Sequence, residues 1–160
     1  MTDTLIVDGY NIMRSIPELD RAMDIDLRGA RKMLEFYLLR YSSRERSIKR
    51  IYIVYDGKDS INGGAEDAGM IKNIFSPSSS NADREIVNLL KKTERPDRVA
   101  VLSRDNFVIN HTRVMGARPV PMAIFKKKIS DGEHRFKNEP IDEGLKHKIN
   151  LELKKLWGLE

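Results

Sequence analysis

The sequence predicts a doubly wound α/β sandwich, with helices on both faces of a central, mostly parallel β-sheet. Three observations point there. Short apolar runs with strand character recur along the chain, at 4–7, 51–55 and 99–102, and less distinctly at 70–75 and 118–124. Helix-spaced segments separate most of them, and strands alternating with helices imply parallel pairing through crossovers. The clearest runs stop at polar residues, Asp-Gly, Asp-Gly and Ser-Arg-Asp, which such a sheet would deliver together at its carboxyl edge.

Thr4 to Val7 reads as a buried strand ending in Asp-Gly-Tyr-Asn. Leu27, Ala30, Leu34, Tyr37, Leu38 and Tyr41 recur at helical spacing behind a candidate N-cap at Asp26, with Arg28, Arg31 and Lys32 expected off that stripe. Ile51 to Tyr55 is a second strand, stopped by Asp56 and Gly57, and the following residues to Asp67 read as a loop. Met70 to Phe75 is a third strand. A Ser-rich run then leads into a helix that turns Ile86, Leu89 and Leu90 inward, capped by Ser80 or Asn81. Val99 to Leu102 is a fourth strand. A helix from about Asn106 to Met115, closed by Gly116, leads to a fifth strand near Arg118 to Ile124. The chain then turns polar, so the core domain is expected over residues 1–125. A basic linker and a C-terminal helix, with Leu145, Ile149, Leu153 and Leu156 or Trp157 as its stripe, are expected over 126–160.

At 160 residues the chain is one domain long, enough to bury a core without staples. It has no cysteine, which excludes disulfides, thiolate nucleophiles and cysteine-ligated zinc or iron–sulfur sites, and fits a cytoplasmic location. No apolar stretch approaches the roughly twenty residues a bilayer span needs, and the first residues do not read as a signal peptide, so no membrane association is expected. The formal charge of +5 is unevenly spread: residues 28–50 carry eight basic and two acidic groups. Such a cluster suits a polyanion, although a solvated helix face would look alike.

The carboxylates carry the chemistry. Asp8, Asp56 and Asp105 follow apolar strands, and Asp83 opens a helix after the Ser-rich loop. Taken singly, they fit turn formers or helix-start residues. Taken together, a parallel sheet brings them to one edge, where like charges repel unless protonated or neutralised by a cation. Oxygen donors without cysteine or paired histidine suit Mg²⁺ or Mn²⁺, which act on phosphodiesters. Gly57 to Gly64 has no phosphate-loop lysine, His111, His134 and His147 lack metal spacing, and no Gly-x-Ser-x-Gly is present. Tyr10 suits either base stacking or packing.

Leu-Ile-Val-Asp-Gly-Tyr-Asn at 5–11, Val-Tyr-Asp at 54–56, Ser-Asn-Ala-Asp at 80–83 and Leu-Ser-Arg-Asp at 102–105 resemble the YacP-like NYN domains, a branch of the PIN-like nucleases. The resemblance runs to about Phe125 and implies a PIN-like three-layer α/β/α sandwich. It also implies a metal-dependent endoribonuclease, some relatives of which act on messenger RNA at the ribosome. It places metal-binding acids at Asp8, Asp83 and Asp105, a further acid at Asp56, and Asn11 as a polar helper. The chain departs from the family at Asn81, often Thr, and at Arg104, usually a small hydroxyl residue.

The expected function is therefore Mg²⁺- or Mn²⁺-dependent hydrolysis of single-stranded RNA, leaving 5′-phosphate and 3′-hydroxyl ends. Arg28, Arg31, Lys32, Arg104, Lys126, Lys127 and Lys128 are the candidates to hold the RNA. The rivals are an RNA- or ribosome-binding module that turns over little or not at all, and a phosphatase with a first-strand Asp nucleophile. Tyr10 stands where such a phosphatase commonly carries its second Asp.

Overall fold

The computed structural model describes residues 1–57, 69–77 and 79–138, with side chains as far as Ser130. The expected loop after Gly57 and the expected helix at Ile141 to Trp157 lie outside the described residues. Five parallel strands, β1 (Thr4–Asp8), β2 (Arg50–Tyr55), β3 (Ile71–Phe75), β4 (Val99–Leu102) and β5 (Arg118–Pro119), form one sheet in the order β3-β2-β1-β4-β5. The order reverses direction at β1. In such sheets the crevice outside the carboxyl ends at the reversal is the usual ligand site.

Period-two alternation sorts the strand residues onto two cores. Leu5, Val7, Ile51, Ile53, Tyr55, Ala100 and Leu102 face one layer, made of α1 (Gly9–Ser15), α2 (Pro17–Ile25), α3 (Leu27–Arg44) and α6 (Met122–Asn138). Ile6, Val54, Val99 and Val101 face the other, made of α4 (Ala82–Lys92) and α5 (Asn106–Val114). This is the expected α/β/α sandwich. Asp8 and Asp56 share the parity of Ile6 and Val54, so both belong to the α4/α5 side of the sheet, where those helices begin.

Three local readings change. Helices α1 and α2 occupy a stretch to which the sequence reading assigned no element. Their signal is Ile12, Ile16, Leu19 and Ala22, all buried at three- and four-residue steps, with Pro17 at the first position of α2. Arg31 lies on the buried stripe of α3 rather than off it, because it stands four residues after Leu27 and three before Leu34. The fifth strand is only Arg118–Pro119, and α6 starts at Met122 and runs through the expected linker. Phe125 and Ile129, one turn apart and buried in the α1–α3 core, explain why that polar stretch folds as a helix. Among the described residues no helix is long and apolar enough to cross a membrane.

Candidate active site at the carboxyl edge of the sheet

Asp8 ends the central strand and is only 4 % exposed. Burial pushes its carboxyl up to about 6, the charges of Asp83 and Asp105 add to the rise, and a hydrogen bond from Ser103 partly offsets it. Ser103, just past β4, donates its hydroxyl to Asp8 Oδ2 at 2.9 Å and accepts the backbone N–H of Asp105 at 3.0 Å. One hydroxyl thereby ties two of the acids together across the switch point.

Asp83 and Asp105 hang from helix starts. Asn81 caps α4 by accepting from the backbone N–H of Arg84 at 3.0 Å, which leaves Asp83 in the first turn beside the positive end of the helix. Asp105 is itself the N-cap of α5, accepting from the N–H of Phe107 at 2.8 Å through Oδ1. Even so, Asp83 is raised, first by partial burial, then by the charge of Asp105, by proton sharing with it, and by Asp56. Charge thus links Asp8 with Asp83 and Asp105, and Asp83 with Asp105 and Asp56. Asp8 forms the floor, and the other three line a partly exposed rim.

Asp56 is placed by a close backbone approach. The hydroxyl of Ser76 accepts from the N–H of Gly57 at 2.9 Å, and Ser76 N–H donates to the carbonyl of Tyr55 at 2.9 Å. A Cβ on Gly57 would lie 1.6 Å from the Ser76 carbonyl oxygen, so only glycine lets the two strand ends meet. Similarly, Gly9 lets α1 start against the Tyr55 ring, where a Cβ would sit 2.5 Å from two ring carbons.

Asn11 joins the site as a latch. Its Oδ1 accepts the backbone N–H of Arg104 at 2.8 Å and so holds the loop that carries Asp105. The two departures from the family pattern acquire explanations here. Asn81 caps α4 as a threonine would, and Ser103 supplies the hydroxyl one residue before Arg104.

The basic candidates separate. Arg28, Lys32, Arg104, Lys126 and Lys127 are exposed. Arg31 is 6 % exposed and turns inward, donating to the Tyr10 hydroxyl at 3.1 Å with its guanidinium 5.7 Å from the centroids of both Tyr55 and Phe75. It is packed into the core rather than presented on the surface as an RNA contact would be. Tyr10 is packed likewise, 4.8 Å from the Tyr55 ring. Lys128 pairs with Glu45 and lies over Tyr41. It is thus held against α3 on the opposite layer from Asp83 and Asp105. The sequence reading missed Ser103 and the exposed Arg84, the latter in the first turn of α4. The signal for Ser103 was its place between a buried strand and Asp105.

The donor set is all oxygen, and its carboxylates raise one another's proton affinity, which suits a hard divalent cation. Among the described residues no three acidic or histidine side chains close on one point as a formed metal cage. The acids are grouped by charge, with one oxygen of Asp105 committed to its cap and one oxygen of Asp8 to Ser103.

A model of the YacP-like NYN domain matches residues 5–156. Among solved structures, the chain is similar to Rae1 (YacP) from Bacillus subtilis in its W164L mutant, at 21% identity and a TM-score of 0.68, over 85% of this chain and 80% of that one. It is also similar to a second crystal structure of the same Bacillus subtilis protein, at 21% identity and a TM-score of 0.63, over 99% of this chain and 92% of that one. At such identity the likeness concerns the fold. No curated protein matches the chain.

Proposed function

Because the chain belongs to the YacP-like NYN domain family, we propose that it is a divalent-metal-dependent endoribonuclease acting on single-stranded RNA. The observation that carries this reading is the set of mutually repelling carboxylates at the switch point of a parallel sheet, with Asp8 raised to about 6 on its floor. Family membership supports the RNA substrate. The messenger on the ribosome is the proposed place of encounter, and the cytoplasm the proposed compartment.

Asp8, Asp83 and Asp105 are the residues that would hold Mg²⁺ or Mn²⁺. When bound, the ion supplies charge stabilisation at the phosphodiester and acidifies water at neutral pH. The chain's own residues do the rest. Ser103 orients Asp8 and steadies the Asp105 backbone. Asn11 holds the β4–α5 loop in place, and Asp56, partly exposed on the rim, would orient the attacking water. Arg104 and Arg84, exposed at the starts of α5 and α4, would bind phosphates flanking the scissile bond, and Arg28, Lys32, Lys126 and Lys127, also exposed, would serve as further contacts.

A second reading, an RNA-binding module without turnover, is favoured by one observation: the described acids form no closed cage. Incubating an end-labelled single-stranded RNA with wild type and Asp105→Asn, in Mg²⁺, Mn²⁺ or chelator, separates the two. Cleavage that needs the ion and is lost in the variant supports the nuclease. Salt-sensitive binding without cleavage supports the module.

A further inference from the structure

We infer that the exposed ring of Phe107, backed by His111, is a stacking platform for one nucleobase of the RNA strand lying along the acidic edge. The inference rests on the proposed function for its ligand, RNA, and not for turnover. Phe107 is the second residue of α5, and its backbone N–H is bonded to Asp105, so the ring is anchored beside one of the acids. It is 47% exposed, whereas the next residue, Val108, is fully buried in the core under α5. The ring is held in place. One turn on, His111 packs against it with centroids 4.2 Å apart and planes at 44°, and His111 Nδ1 lies 2.8 Å from the carbonyl oxygen of Phe107. A carbonyl only accepts, so neutral His111 carries its proton on Nδ1 and its lone pair on Nε2. Both the position and the tilt of the pair are thereby set.

The surroundings select the occupant. Arg104 is exposed three residues before Phe107, and Arg84 is exposed at the start of α4, which packs on α5. Exposed arginines on the loop before α5 and on the neighbouring helix, together with an exposed aromatic ring, match an unpaired strand, whose phosphates and bases need partners at the same time. A base inside a duplex already has both faces stacked. Stacking is tolerant of sequence because every base offers a π-face, so Phe107 contributes affinity and register rather than base choice.

The test measures binding, in an Asp83→Asn background that removes turnover, of a labelled oligoribonucleotide of about eight adenosines by fluorescence anisotropy. Phe107→Ala is expected to weaken binding by roughly 5- to 150-fold. Phe107→Trp retains affinity and Phe107→Leu behaves like alanine. The slope of affinity against salt stays at the parent value, because no phosphate contact is lost. An abasic strand of the same length binds the parent and Phe107→Ala equally. Unchanged affinity in Phe107→Ala, full rescue by leucine, or a parent that binds no RNA overturns the platform. Loss of the cleavage result above, with this series intact, removes the nuclease and leaves the platform standing.

Discussion

The substitution Asp8→Asn is expected to stabilise the metal-free protein while abolishing its activity. Asp8 is raised from 3.8 to about 6, so its protonated form is favoured in the folded state. The stability this contributes is fully present below the unfolded value of 3.8 and is lost as pH rises through about 6. Above that pH the folded state holds a buried, repelled charge, which costs about 3 kcal/mol, since each tenfold change in proton affinity is worth ~1.36 kcal/mol. Asparagine still accepts from Ser103 and removes the charge. At pH 7.5 with chelator the variant should therefore exceed wild type by up to ~3 kcal/mol, or roughly 6–12 °C in Tm for a chain of this size. Near pH 4 the two should converge. Urea unfolding across this range measures the difference directly, and Mn²⁺ should raise the stability of wild type more than that of Asp8→Asn. A variant less stable at pH 7.5, or a difference independent of pH, would refute the electrostatic reasoning.

Ser103→Ala removes the bond that lowers Asp8, so the acidic limb of any cleavage profile should move to higher pH, and the Asp105 N–H loses its acceptor at a cost of about 1–3 kcal/mol, read by pH–rate curves and urea melts. Gly57→Ala places a Cβ against the Ser76 carbonyl, backbone that cannot rotate away; a loss of ~1–3 kcal/mol is expected by thermal unfolding, with no loss contradicting the close approach. Arg31→Met replaces a buried cation whose Nε has no hydrogen-bond partner by a side chain of similar reach, so stability should hold or rise and RNA affinity should not change. A marked drop in affinity for that variant would return Arg31 to the RNA surface.

Much of the fold was legible because β1, β4 and most of β2 are buried on both faces and their ends are punctuated. Val99 to Leu102 and Ile51 to Tyr55 are uninterrupted apolar runs followed by polar residues, and the parallel sheet required by their spacing brings Asp8, Asp56, Asp83 and Asp105 into one electrostatic cluster. Short elements and shared faces were harder to read. Helices α1 and α2 follow β1 with no loop between, so the strand-end signal at Asp8-Gly9 masked the helical spacing after it. Lys126 to Lys128 made the last segment look like a linker, yet Phe125 and Ile129 anchor it, and the charged side chains occupy the remaining faces. Arg31 shows why a charge count alone misleads, since a basic residue on the inward stripe adds to the tally while lying buried. Ser103 and Asn11 became intelligible only with the chain folded, because their partners lie 95 and 93 residues away.

The most direct measurement of the central claim is the chemistry of the RNA ends produced. Wild-type protein incubated with a uniformly labelled single-stranded RNA should yield 5′-phosphate and 3′-hydroxyl ends, in Mg²⁺ or Mn²⁺ and not in chelator. Cleavage that persists in chelator and leaves 2′,3′-cyclic phosphates would contradict a metal-dependent centre built from Asp8, Asp83 and Asp105.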